Sequence, residues 1–152
     1  MSIFPTKILV ATDGSEEADL ALTTAADLAE KTDSELHVAF VFPTAVQLPF
    51  PRPILARPAE VQERELEAAM HQAQEFLDRQ VERVKNEGVS VAETHLVRGQ
   101  PDREIVHIGE ETGAGLIVIG SRGLGGIRRA LMGSVSDSVV RHAHCPVLIV
   151  RG

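Results

Sequence analysis

Four short, almost uninterrupted apolar runs and one alternating run divide the chain, and between most of them apolar residues recur every three or four positions. Lys7-Ile8-Leu9-Val10-Ala11-Thr12, Leu36 to Phe42, Leu116 to Ile119 and Pro146 to Val150 are too apolar for one face to meet water. That is the pattern of strands buried on both sides in a parallel sheet. Val89 to Val97 alternates in part, through Val89, Val91, Glu93, His95 and Val97, which suits a strand nearer the sheet edge. Helical spacing links Ala18, Ala21, Leu22, Ala25, Leu28 and Ala29 behind Asp13-Gly14-Ser15, with Ser15 placed to cap and Glu16 and Glu17 suited to the first turn. A longer stripe of Leu66, Ala69, Met70, Ala73, Phe76, Leu77, Val81 and Val84 predicts a helix over Ala59 to Glu87, ended by Gly88. Asp102 to Thr112 and Ser134 to His142 are the remaining helices, giving the order β-α-β-α-β-α-β-α-β.

Strands alternating with helices imply a parallel sheet covered on both faces and joined by right-handed crossovers. Ligands of such sheets bind beyond the carboxyl ends of the strands, where the strand order reverses. If the first and fourth strands are neighbours there, Asp13 and the glycine-rich segment after Ile119 share one crevice. The pattern breaks only between Pro43 and Pro58, where Pro43, Pro49, Pro51, Pro53 and Pro58 interrupt Leu48, Phe50, Ile54 and Leu55. Proline fixes φ and removes donors, so an irregular surface loop is expected at 43–58, with a lid or an interaction loop as the alternative.

Length and charge narrow the picture. A chain of 152 residues, 43% hydrophobic, is long enough for one globular domain with a real core. A net charge of -7 makes nucleic acid an unlikely main partner, because that binding rests on neutralising phosphates with Lys and Arg. Aromatic residues are 3% of the chain, without Trp or Tyr, so stacking platforms for single strands are missing too. No apolar run approaches the roughly 18–20 residues of a membrane helix. Cys145 is the one cysteine, and Met1 to Lys7 lacks a signal-peptide pattern, so a reducing, cytoplasmic setting is expected.

The candidate chemistry lies between Leu116 and His142. Strand, glycine-rich loop and helix follow one another there, and such a loop lets backbone N–H groups approach an anion while the helix start adds orphan donors and partial positive charge. The spacing does not match a Walker A loop, because no Gly-Lys-Ser/Thr follows a glycine at the required distance. The dinucleotide pattern fails at its third glycine, where Arg128 stands after Gly123 and Gly125. What remains is Gly120, two residues, Gly123, nine residues, then Gly133-Ser134.

That spacing resembles the nucleotide-binding pattern of the universal stress protein family, in its ATP-binding subgroup. Val10-Ala11-Thr12-Asp13-Gly14-Ser15, Gly120-Ser121-Arg122-Gly123, Gly133-Ser134-Val135-Ser136 and His144-Cys145-Pro146-Val147-Leu148-Ile149-Val150 look like family hallmarks in family order. The resemblance covers nearly the whole chain outside the proline-rich segment. It implies a single doubly wound, Rossmann-like α/β domain over residues 1–152, with a five-stranded parallel sheet in the order 3-2-1-4-5 and helices on both faces. It further implies that Ala11, Thr12 and Asp13 lie by the ribose and phosphates and that the backbone of Val41 meets adenine. The loop residues Gly120, Ser121, Arg122, Gly123, Leu124, Gly125 and Gly126 would wrap the phosphates together with Gly133, Ser134, Val135 and Ser136. A carboxylate beside a triphosphate is repelled unless a cation bridges them or it holds a ribose hydroxyl, so Asp13 is expected to act with Mg²⁺. A homodimer through the last strand, 146–150, is likewise implied.

The resulting expectation is an ATP-binding regulatory protein. An enzyme is the alternative, a slow ATPase or a protein that phosphorylates its own Ser134 or Ser136. An interaction module that leaves the nucleotide site unused is a further one. Simpler roles compete at several positions. Ser134 can be a plain helix cap, with Asp137 completing a box-like arrangement, and Arg128 and Arg129 fit a solvated face. His37, His71, His95 and His107 fall on separate elements, and His142 with His144 lacks zinc-site spacing, so no metal is assigned to histidine. Cys145 reads as a small buried side chain at a strand start.

Overall fold

The computed structural model describes residues 2–42, 58–122 and 133–152. Its elements are β1 (Lys7–Ala11), α1 (Glu16–Thr32), β2 (Glu35–Phe42), α2 (Ala59–Asn86), β3 (Val91–Arg98), α3 (Pro101–Thr112), β4 (Leu116–Gly120), α4 (Ser134–His142) and β5 (Val147–Val150). All four strand pairings are parallel, and the sheet order is β3-β2-β1-β4-β5. The order reverses between β1 and β4, which pair through Ile8, Leu9 and Val10 against Leu116, Ile117 and Val118. The expected doubly wound α/β architecture and strand order are therefore those of the molecule. The proline-rich loop expectation falls almost wholly on residues 43–57, outside the described residues.

Successive side chains of a strand go to opposite faces, and both faces here are apolar. Ile8, Val10, Leu36, Val38, Leu116 and Val118 pack under α1 and α2 against Leu22, Ala25, Leu77, Val81 and Val84. Leu9, Ala39, Val41, Ile117 and Ile119 face the other way, against Ile105 and Ile108 of α3 and Val139 of α4. Each fully buried aliphatic chain contributes about 1.5–3 kcal/mol, which is why the unbroken apolar runs are the most reliable element signals.

The ends of the helices follow from local chemistry. Ser15 accepts a hydrogen bond from the Ala18 N–H at 3.2 Å and caps α1, as its sequence position predicts. Gly88, at φ +90°, closes α2: its N–H donates to the Lys85 carbonyl and that of Val89 to the Val84 carbonyl. Val89 is thereby drawn into the core as the apolar partner of that turn, so β3 starts at Val91 rather than at Val89. The α2 stripe is only half used. Ala73, Leu77, Val81 and Val84 are buried, whereas Ala69 and Met70 are exposed and Leu66 is half-buried, so only the second half of the helix packs on the core.

Candidate functional site

A cleft of about 340 Å³ opens at the carboxyl ends of β1 and β4, at the place where the strand order reverses. That volume is at the small end of the range of about 300–1,000 Å³ for small-molecule sites. The apolar part of the lining is made by Ala11, Phe40, Val41, Pro101, Ile105 and Ile119. The polar part of the lining is made by Thr12, Asp13, Ser15, Arg122 and the start of α4. Sequence segments more than a hundred residues apart thus meet in one site.

The β1 turn supplies two groups with different constraints. Asp13 accepts the Ser15 N–H at 2.9 Å, an Asx turn that orients its carboxylate ahead of α1. Thr12 is 3% exposed and its N–H bonds the Ala39 carbonyl at 2.9 Å, continuing the ladder past β1. Its hydroxyl has no hydrogen-bond partner among the described residues. A buried hydroxyl left without a partner costs about 1–3 kcal/mol.

The start of α4 lines the cleft. Gly133, extended at φ −72° and ψ 167°, is the N-cap and makes no side-chain cap bond. Ser134 is therefore the first residue inside the helix, not its cap, because the chain already has cap geometry one residue earlier. The first N–H groups of α4 carry the helix's partial positive charge into the cleft. Ser136 is buried, and its hydroxyl donates to the Ser121 carbonyl at 2.7 Å and the Gly133 carbonyl at 3.0 Å. It staples α4 to the end of β4 and leaves its oxygen lone pairs, not its proton, for other work. Ser138 donates to Asp102 at 2.8 Å, which fixes α4 against α3.

Glu17 is the residue that sequence reasoning missed, having assigned it only to the first turn of α1. Its buried carboxylate accepts hydrogen bonds from the Ser121 hydroxyl, the Arg122 N–H at 2.7 Å, the Arg122 guanidinium at 3.1 Å and the Gly152 N–H at 3.3 Å. Burial by itself would raise the carboxyl, but the bonds from Ser121, Gly152 and Arg122 outweigh it and hold the group at about 2 instead of 4.5. The contact requires α1 and β4 to touch. A Cβ on Gly120 would lie 2.9 Å from the Glu17 carbonyl carbon and 3.0 Å from the Ala18 nitrogen, so only glycine fits. The sequence signal was available in Gly120 itself, read there as access for a phosphate.

Of the expected site residues, Ala11, Thr12, Asp13, Val41, Gly120, Arg122, Gly133, Ser134, Val135 and Ser136 line the cleft. Ser121 does not: its hydroxyl is taken by Glu17 and its side chain is 1% exposed. Gly123, Leu124, Gly125 and Gly126 lie outside the described residues, as do Arg128 and Arg129. Phe40, Pro101 and Ile105 belong to the cleft although no motif marks them. Away from it, Cys145 is half-buried and burial pushes its thiol up, against a nucleophilic role. Burial and the nearby His37 hold the His95 imidazole below its usual range, opposed by Glu93 and Glu111.

Comparison with known proteins agrees with the geometry. The profile of the universal stress protein family matches residues 5–151. Universal stress protein YxiE of Bacillus subtilis is 34% identical over 159 residues, covering 95% of this chain and 98% of that protein. Among solved structures, universal stress protein UspA from Lactobacillus plantarum superposes with a TM-score of 0.82 at 26% identity, over 99% of this chain and 100% of that one. A universal stress protein in complex with cAMP superposes at 0.66, with 26% identity and 97% of both chains covered. The universal stress protein from Archaeoglobus fulgidus in complex with dAMP superposes at 0.64, with 29% identity and 99% of both chains covered.

Proposed function

The chain belongs to the universal stress protein family, and from that premise we propose that it is a regulatory protein of the stress response that binds ATP with Mg²⁺. The observation that carries the reading is a cleft lined both by apolar side chains and by the start of α4, whose N-cap Gly133 makes no side-chain cap bond, together with the buried Thr12 hydroxyl, which has no partner among the described residues. A nucleotide has the same division, a flat base beside a charged phosphate chain. Phe40, Val41 and Ile105 would take the base, Thr12 and Asp13 the ribose or the cation, and the N–H groups of Ser134, Val135 and Ser136 the phosphates. Two solved relatives hold adenine nucleotides, cAMP and dAMP, which supports the base assignment and leaves the phosphate count to this chain's own residues.

Mg²⁺ enters through the sign of the charges. Asp13 beside a triphosphate is repulsive, and a hard divalent cation between carboxylate and phosphate oxygens reverses that. Binding rather than turnover is the proposed activity. No observation favours the enzymatic alternative, and Ser136 is a poor phosphoryl acceptor because its hydroxyl is buried and already donating to two carbonyls. The regulatory signal would be read by a partner or a second copy, in a cytoplasmic setting. β5 is a sheet edge whose four residues are all only half-buried in one chain, which supports pairing of two copies along it.

The deciding experiment is thermal unfolding of the purified chain with ATP and MgCl₂. At a hundredfold excess over Kd a ligand of the native state adds about 2.7 kcal/mol, an increase in Tm of about 5–10 °C for this size. A Tm that does not move in millimolar ATP and Mg²⁺ overturns the proposal and leaves the interaction-module reading.

A further inference from the structure

The sheet order brings together residues that the sequence scatters. β2 and β3 pair in parallel with His37 opposite Glu93 and Ala39 opposite His95. His37 and His95 therefore emerge on the same face of adjacent strands, one side-chain period apart, and their rings stack with centroids 5.6 Å apart and planes 15° apart. His37 Nδ1 lies 3.3 Å from His95 Nε2 and 3.5 Å from Glu93 Oε2, and the latter two are 3.7 Å apart.

Those separations have a specific meaning. Ligand atoms about 2.0–2.2 Å from a tetrahedral zinc ion stand about 3.3–3.5 Å from one another. Two imidazole nitrogens and a carboxylate oxygen thus outline one triangular face of a zinc coordination sphere, and their identity, two nitrogens and one oxygen, is a donor set that zinc accepts. Glu35 completes the arrangement. Its Oε2 is 3.4 Å from His37 Nε2, where it can hold the proton on that nitrogen and leave Nδ1 to face the other two donors. His37 is buried, His95 half-buried and Glu93 exposed, so the cluster has a fixed floor and an open mouth through which an ion and a water ligand can enter.

We propose that His37, Glu93 and His95 form a zinc-binding site at the β2–β3 edge, with Glu35 as its positioning residue and water as fourth ligand. The site is separate from the cleft. His37 precedes the cleft residue Val41 by four positions on β2, about 13 Å along the strand. Its physical effect is to tie the edge strand β3 to its neighbour, so zinc occupancy stabilises the sheet independently of nucleotide. No bond is made or broken beyond coordination, and the proposal does not depend on ATP binding.

The test uses the full chain, stripped with a chelator and free of nucleotide, titrated with ZnCl₂ against a chromophoric competitor, with Co²⁺ as a spectroscopic substitute. One equivalent bound with micromolar or tighter affinity is expected, with the intense visible absorption of tetrahedral Co²⁺. His95→Gln and Glu93→Gln, both at accessible positions and checked for native circular dichroism, should each weaken binding at least about tenfold, and Glu35→Gln by about tenfold. The helix-borne His71–Glu75 and His107–Glu111 pairs are the competing surface sites, and His71→Gln with His107→Gln should change nothing. Zinc should raise the Tm of the parent and not that of His95→Gln. The proposal is overturned by absence of micromolar binding, by unchanged affinity in folded His95→Gln, by loss of binding in the His71/His107 double variant, or by an octahedral Co²⁺ spectrum.

Discussion

Replacing Glu17 by Gln keeps shape and removes the charge that four donors converge on. In the parent, the carboxylate is held at about 2 against an ordinary 4.5, a difference worth at most about 3 kcal/mol. Arg122 is one-third exposed on its side of the contact, so solvent screening brings the usable figure to about 1–2 kcal/mol. The sign is set by linkage. A carboxyl whose folded value is depressed contributes its full stability above its unfolded value, and that stability is lost as pH falls from about 5 towards 2. The variant amide carries no proton to titrate there. Differential scanning calorimetry at a series of pH values should therefore find Glu17→Gln melting about 2–8 °C below the parent at pH 7. The gap should narrow steadily below pH 5 and become small near pH 2, where the parent's Glu17 is about half protonated in the folded chain and wholly so in the unfolded one. A gap that stays constant from pH 7 to pH 3 would refute the charged cradle, because only the depressed ionisation makes the difference depend on pH.

Thr12→Val removes a buried hydroxyl that has no partner among the described residues without changing shape, so the free chain should be unchanged or up to about 1 kcal/mol more stable, while ATP binding measured by calorimetric titration weakens about five- to tenfold. Equal affinity in parent and variant would show that the hydroxyl does not meet the nucleotide. Gly120→Ala places a methyl against the α1 backbone and should cost about 1–3 kcal/mol, read as a Tm lower by several degrees; an unchanged Tm would mean that α1 and β4 can separate freely. Asp13→Ala should abolish the dependence of ATP binding on Mg²⁺, and full retention of that dependence would move the cation elsewhere. Sedimentation of the parent at micromolar concentration should give a dimer that Ile149→Lys converts to monomer, and a monomeric parent would exclude pairing through β5.

The elements were legible because their signals are physical and local. Ile8 to Val10 and Leu116 to Ile119 had to be buried on both faces, and only a sheet with helices on either side does that. The cleft was legible through glycines and a carboxylate in family spacing, and ten of the expected residues do line it. What could not be read was pairing across strands. Glu17 looks like any acidic residue in a first helical turn until β4 is laid against α1, and Ser121 looks like a phosphate ligand until Glu17 takes its hydroxyl. Met70 shows the converse error, an apolar residue on the helical stripe that is nonetheless exposed.

His37 and His95 carry this reasoning furthest. Fifty-eight positions apart and on different elements, they offer no spacing that a motif search would recognise. Yet the strand order puts β2 beside β3, and the register puts His37 opposite Glu93. Three lone-pair donors are then forced to within 3.7 Å of one another at a partly buried edge. When no ion is bound, one proton between His37 Nδ1 and His95 Nε2 can join the two imidazoles, while the exposed Glu93 carboxylate is left to water. A divalent cation satisfies all three at once. β2 would then connect two ligand sites of opposite preference, a cation at its beginning and an adenine base near its end, each held by residues that the other leaves untouched.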